Sequence, residues 1–123
     1  MSYMQKQEEV KNKRQLGTYY EVLAINYLIN KGYTILKHSY RCRFGEIDII
    51  ARDNEYTVFI EVKYRKSGMY GYPREAVNIN KQKHIIRTAM CYLKNEVGYE
   101  SLIRFDIIEF LEDKVTHLES AFY

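Results

Sequence analysis

Two alternating apolar stretches flank an Asp-Asn turn signal, and this arrangement constrains the chain more than any other part of it. Residues 45–51 alternate, with Ile47 and Ile49 on one face and Glu46, Asp48 and Ile50 on the other. Residues 57–65 place Val58, Ile60 and Val62 opposite Phe59, Glu61, Lys63 and Arg65. Asp53-Asn54 supplies the turn. A loop of two or four residues centred between Asn54 and Glu55 sets Asp48 across from Glu61, and Glu46 across from Lys63.

The remaining elements assemble around this hairpin. Residues 17–30 carry helical spacing, with Ala24, Ile25 and Leu28 as the apolar stripe and Lys31-Gly32 as the stop. Residues 1–14 are polar and either fray or extend that helix. A β-rich stretch covers residues 33–38. Residues 67–73 form a loop rich in Gly and Tyr, and Glu75 to Val77 begins a short helical turn. Asn80 is the expected N-cap of a helix reaching about Lys94, with Ile85, Ile86, Ala89 and Leu93 buried and Gly98 helping to end it. Residues 102–110 and 115–118 read as a closing hairpin that turns at Glu112-Asp113-Lys114. The order predicts an α/β layer fold with a mixed sheet flanked by helices. The length of 123 residues fits one domain with one core, and there is no internal repeat or linker.

The chemistry follows from the expected register. Directly opposed residues have Cβ atoms about 4.5–5.5 Å apart, and like charges there repel. A divalent cation between Asp48 and Glu61 removes that cost, and Mg²⁺ commonly takes one or two carboxylates plus water and phosphate. Lys63 shares the strand face of Glu61, where an ammonium can pair with carboxylates, orient water and steady charge on a phosphate. Arg65 follows on that face as a bidentate phosphate fork. The competing reading is an exposed sheet face with Glu46–Lys63 and Glu61–Lys63 ion pairs, and spacing alone leaves both open. Glu21 heads the apolar stripe of the first helix, where an unpartnered carboxylate is costly unless a metal or lysine is near; the competing reading places it at the edge of the stripe, reaching solvent. Lys81, Gln82 and Lys83 open the second helix, where cations oppose the helix dipole unless a phosphate binds. Gln82 shares the stripe of Ile85, Ile86 and Ala89.

The net charge of +3 is too weak to identify a nucleic-acid partner by itself. Its distribution says more: Lys37-His38, Arg41, Arg43, Lys63, Arg65, Lys66 and the 81–87 cluster lie on either side of Glu46, Asp48 and Glu61, which suits a phosphodiester held near a metal ion, although charge alone favours the competing reading of a normally mixed surface. Cys42 and Cys91 form no C-x-x-C pair. Two reduced thiols in a cytoplasmic protein is the simpler reading, with one disulfide as the alternative. The polar N-terminus carries no apolar signal-peptide core, and no apolar run approaches the roughly 20 residues of a membrane span. His38, His84 and His117 are scattered without metal-ligand spacing, and Tyr19, Tyr27 and Tyr92 are expected to pack in or near the core.

Together these stretches resemble the YraN family of the PD-(D/E)xK nuclease superfamily and its Holliday-junction resolvases. The matching residues are Gly17-Thr-Tyr-Tyr-Glu21, Arg43-Phe-Gly-Glu-Ile-Asp48-Ile-Ile, Phe59-Ile-Glu61-Val-Lys63-Tyr-Arg65, Glu75 through Lys83, Arg104-Phe-Asp106 and Ala121-Phe122. The resemblance implies a restriction-endonuclease-like α-β-β-β-α-β core. It implies Asp48 and Glu61 as ligands for Mg²⁺ or Mn²⁺, Glu21 as a third carboxylate and Lys63 as the catalytic lysine. The Pro of the superfamily motif is absent, since Ile47 precedes Asp48. The leading expectation is a metal-dependent nuclease acting on DNA, branched or single-stranded substrates included, with Arg43, Arg65, Lys81, Gln82 and Lys83 as nucleic-acid contacts. The alternatives are a non-catalytic nucleic-acid binder with the same fold, and an interaction module using the Tyr-rich stretch 69–72. A homodimer is expected by analogy alone, one site for each strand of a duplex.

Overall fold

The computed structural model describes residues 3–66, 77–97 and 101–123, with side chains from residue 17 onward. The Gly/Tyr-rich loop at 67–73, Glu75 and Gly98 lie outside the described residues. Helix α1 (Tyr3–Asn30) leads into β1 (Thr34–Cys42), β2 (Gly45–Asp53) and β3 (Tyr56–Arg65). Helix α2 (Ile79–Tyr92) runs into a π-helical turn (Leu93–Val97), followed by β4 (Leu102–Leu111) and β5 (Lys114–Leu118). The five strands lie in the order β1-β2-β3-β4-β5. All neighbours are antiparallel except β3 and β4, which are parallel and joined through α2. This is the α-β-β-β-α-β core of a restriction-endonuclease-like fold, closed by a fifth strand. Among the described residues no helix is long and apolar enough to cross a membrane.

Each face of the sheet buries one helix. Ala24 and Leu28 of α1 pack on Ile49, Ala51, Val58, Ile60, Ile108 and Phe110. Ile85, Ala89, Tyr92 and Leu93 of the α2 arm pack on Ile47, Ile50, Phe59, Phe105 and Ile107. Helix α1 ends as its sequence predicts. Gly32 takes φ 97°, Tyr33 N–H donates to the Leu28 carbonyl at 2.9 Å, and Gly32 N–H donates to Ile29 at 3.0 Å. That is a Schellman cap, which needs a left-handed residue after the helix.

Four local expectations are corrected. The N-cap of α2 is Asn78, not Asn80, because the Asn78 side chain accepts from Lys81 N–H at 2.9 Å and Asn80 already lies in the first turn. Strand β1 runs on to Cys42 rather than stopping at His38, with a register shift between Ile35 and Lys37. Tyr19 is exposed, whereas Tyr92 is buried and Tyr27 packs beside the α1 core. Ile47 and Ile49 do not share a face: Ile47 packs under α2 and Ile49 under α1. The backbone rotates between them, at Asp48.

Two polar attachments complete the fold. The β1–β2 tip docks on α2, where the Phe44 carbonyl lies 3.0 Å from His84 Nδ1. Gly45 sits at φ 150°, where a Cβ would lie only 3.3 Å from Thr88 Oγ1. At the opposite end, fully buried Asp106 accepts from His117 Nε2 at 2.7 Å, from Arg104 Nε and Nη2 at 3.0 Å each, and from Ser120 N–H at 3.1 Å. Lys31 Nζ is 3.1 Å from His117 Nδ1. An ammonium only donates, so Nδ1 accepts and Nε2 carries the hydrogen given to Asp106. Burial alone would raise the Asp106 pKa, but His117, Arg104 and the Ser120 N–H outweigh it and hold the carboxyl below its ordinary value. Its stabilisation is therefore complete above the ordinary Asp range and lost as pH falls through the lowered value.

Two substitutions test this frame by urea denaturation. Gly45→Ala places a side chain at a positive φ and is expected to cost about 1–3 kcal/mol. Asp106→Ala takes the acceptor from His117 and two of the hydrogen bonds from Arg104, which keeps Asp53 and Tyr33, and is expected to cost about 3–5 kcal/mol. A loss below about 1 kcal/mol for Asp106→Ala would show that the network contributes little.

Candidate active site

The hairpin register holds as expected from Asp53↔Tyr56 through Ile49↔Ile60, with Asn54 and Glu55 as a two-residue loop. It stops there. Beyond Ile49 the β2–β3 ladder gives way, and Val62 N–H donates 2.8 Å to the side-chain Oδ2 of Asp48. On the other edge of β2, the register is the same at His38↔Ile49 and Tyr40↔Ile47, but Ser39 between them, level with Asp48, has φ 52°. Asp48 is thus at a local distortion on both sides, and its carboxylate stands in for a backbone acceptor.

The opening between β2 and β3 is lined by Asp48, Glu61 and Val62 and covered by Gly17, Tyr20 and Glu21 of α1, with Tyr64 alongside. Its volume is about 300 Å³. Tyr20 stacks on Tyr64 at 4.3 Å between centroids and forms an aromatic wall. The sequence reading missed both tyrosines as site residues. The signal was the Tyr20-Ala24-Leu28 stripe at helical spacing, which puts Tyr20 on the sheet-facing side of α1.

Glu61 is 5% exposed, and its two oxygens have different surroundings. Oε1 faces two ammonium groups, Lys81 Nζ at 3.6 Å and Lys63 Nζ at 3.8 Å. Oε2 is buried without a hydrogen-bond donor among the described residues. Burial and then the neighbouring Asp48 charge push the Glu61 carboxyl up to about 8, against the pull of the two lysines. Asp48 is also raised, by burial first, although the Val62 N–H and Lys81 favour its charged form. Glu21 is raised by burial and by the Asp48 and Glu46 charges. Three carboxyls therefore share one field, and burial, reinforced by their mutual repulsion, disfavours their charged forms in the absence of a cation.

This donor set fits Mg²⁺ or Mn²⁺: two adjacent hard-oxygen carboxylates, one with a buried oxygen that has no donor among the described residues, in a cavity with room for water. Among the described residues, no three His, Cys, Asp or Glu side chains converge as a ready-made metal cage. Glu21 lines the cavity and senses Asp48 electrostatically without completing such a cage.

The other residues singled out from the sequence are dispersed. Lys81 joins the acidic centre directly, with its Nζ 3.6 Å from Glu61 Oε1. Gln82 turns its side chain back to the Val77 carbonyl at 2.9 Å. Lys83 and Arg43 are exposed, Arg43 with its guanidinium 4.7 Å over the Phe44 ring. Arg65 is mostly buried in an ion pair with Glu109 of β4 and does not line the cavity. Glu46 pairs with exposed Arg41 at 3.3 Å rather than with Lys63. Glu109 could have been suspected as an acidic residue inside the apolar run 107–111.

Fold and pocket define a class: a restriction-endonuclease-like α/β protein with a paired-carboxylate cavity where β2 parts from β3. The sequence model of the uncharacterised protein family UPF0102 matches residues 20–110. A UPF0102 protein of Lachnoclostridium phytofermentans is 46% identical over 112 residues, covering 90% of this chain and 95% of the relative. One from Alkaliphilus oremlandii is 49% identical over 115 residues, covering 89% and 98%. One from Caldicellulosiruptor bescii is 42% identical over 118 residues, covering 90% and 99%. The chain belongs to UPF0102, which is the YraN family.

The Glu61 environment generates a stability prediction. Between the ordinary Glu value of 4.5 and about 8, the folded metal-free protein holds a proton on Glu61 that the unfolded chain has released. Stability in chelator is therefore expected to fall as pH rises across that window. Thermal melts of wild type and Glu61→Gln measure it, and the variant should flatten the slope. An equal slope in both proteins would assign the pH dependence to other groups.

Proposed function

We propose that this protein is a Mg²⁺- or Mn²⁺-dependent nuclease that hydrolyses DNA phosphodiester bonds. The observation that carries this reading is the Asp48–Glu61 pair, in which Glu61 is buried and its Oε2 lacks a donor among the described residues while two lysines face Oε1. A purely structural carboxylate at that burial would be expected to have both oxygens satisfied. Asp48 and Glu61 would hold the metal, which when bound supplies Lewis-acid polarisation of a phosphoryl oxygen and a water of lowered pKa. Glu21 accepts a proton or orients water from the α1 side of the cavity. Lys63 places a positive charge beside the phosphate, and Lys81 shares that task from α2. Val62 N–H holds Asp48 in position through its hydrogen bond. Under this reading the protein acts in the cytoplasm, with Cys42 and Cys91 as free thiols, and two copies serve the two strands of a duplex.

The lack of a preformed three-ligand cage among the described residues favours a second reading, a DNA-binding protein that keeps the fold without cleavage. One assay separates the two. End-labelled single strand, duplex, flap and four-way junction are incubated with Mg²⁺ or Mn²⁺ and wild type, Asp48→Ala or Lys63→Ala. Metal-dependent cuts are expected with wild type, falling at least about 100-fold in either variant. Binding without cuts on any substrate, or cuts equal in wild type and Asp48→Ala, would sink the nuclease reading for this site.

A further inference from the structure

A second, larger cavity lies between the β1–β2 tip and the C-terminal half of α2. Its volume is about 560 Å³, and its lining includes Arg43, Phe44, Ile86, Arg87, Met90 and Lys94. Its composition differs from that of the acidic pocket. Ile86 and Met90 make an apolar floor that is partly buried against the core. Arg43, Arg87 and Lys94 are exposed cations at the rim. The Phe44 ring carries the Arg43 guanidinium 4.7 Å above it. The tip is held against α2 by the Phe44 carbonyl's contact with His84 and by the close approach of Gly45 to Thr88, so the cavity is a fixed feature of the fold. Lys94 stands in the π-helical turn, an uncommon geometry that recurs at functional sites.

We infer that this cavity seats an unpaired base of single-stranded DNA, with the strand's phosphates running along α2 toward the acidic pocket. Lys83, Arg87, Met90 and Lys94 recur at positions i, i+4, i+7 and i+11, so three cations and one floor residue share a helix stripe. Six residues separate Lys81, at the acidic pocket, from Arg87, which is about 9 Å of helix. Cations tracking a backbone beside an aromatic platform are the means by which proteins hold single strands. Arginine planes and aromatic rings both stack on bases. Duplex DNA keeps its base faces stacked on one another and offers only phosphates to such a site. The volume lies within the roughly 300–1,000 Å³ range of small-ligand pockets, which suits one nucleotide. The inference rests on the nuclease reading only for the strand's destination.

The test is run without metal, so it does not depend on cleavage. A fluorescein-labelled oligo-thymidylate strand and a duplex of equal length are titrated in EDTA, with anisotropy read at several salt concentrations. Wild type is expected to bind the single strand more tightly than the duplex. Arg87→Gln combined with Lys94→Gln should weaken binding at least about fivefold and lower the log–log salt slope by about 1.4, the value for two lost single-strand phosphate contacts. Phe44→Leu should weaken single-strand binding about fivefold or more and leave duplex binding unchanged, while Phe44→Tyr, which keeps the ring, should restore it. Matching thermal melts establish that each variant is folded, and the exposed Arg87 and Lys94 are safe in that respect. Absence of metal-free single-strand binding, or binding unchanged by the double substitution, would overturn the strand track. Equal loss on single strand and duplex in Phe44→Leu would overturn the base seat. Groove binding without cleavage in the metal assay would refute the nuclease reading and leave this inference standing.

Discussion

The Asp48 carboxylate occupies the place of a backbone acceptor, and the architecture around the site depends on that exchange. When β2 and β3 part beyond Ile49 and Ile60, the Val62 N–H would lose its ladder partner. A buried N–H without an acceptor is costly. Asp48 Oδ2 supplies the missing bond at 2.8 Å, so the strands can separate without leaving that donor stranded. The separation opens the cavity, turns Ile47 and Ile49 to opposite faces and brings Glu61 beside Asp48. One side chain thus satisfies the local backbone and supplies an acidic group.

The buried charged groups among the described residues divide into two kinds. At the far end of the sheet, Asp106 receives four donated hydrogen bonds from Arg104, His117 and Ser120, and the arrangement ties β4, β5 and the end of α1 together. Arg65 and Glu109 likewise join β3 to β4. These buried charges are partnered and serve the fold. The carboxyls around Asp48 are pushed upward by burial and then by one another, and Glu61 keeps an oxygen without a donor among the described residues. The fold therefore concentrates its electrostatic cost in the pocket, where a divalent cation would relieve it.

The layout of the basic residues follows the same geometry. Helix α2 begins at the acidic pocket and ends beside the β1–β2 tip, so one helix connects the two cavities. Lys81 at its start is bound to Glu61, while Lys83, Arg87 and Lys94 remain on the exposed stripe. The β1–β2 tip closes the second cavity because Gly45 permits close approach to α2. The acidic and basic sites are thus set by the same packing of α2 on the sheet.

Much of the framework was legible in the residues. The alternation on either side of Asp53-Asn54 determined a tight hairpin and its register near the turn, because a two-residue loop and a period of two admit few alternatives. Lys31-Gly32 determined where α1 stops, because glycine takes the left-handed cap at little cost. The pairing of Asp48 with Glu61 as neighbours was also legible, although not as a regular cross-strand pair. Only the tertiary structure decided that β2 and β3 separate at Asp48, since a side chain replacing a backbone acceptor has no period to read. It also decided that Lys81 belongs with Glu61, that Arg65 belongs with Glu109, and that Asp106 and His117 form a buried network. Those partners lie on elements distant in sequence, and their choice depends on how helices and a parallel strand dock, which local pattern does not encode.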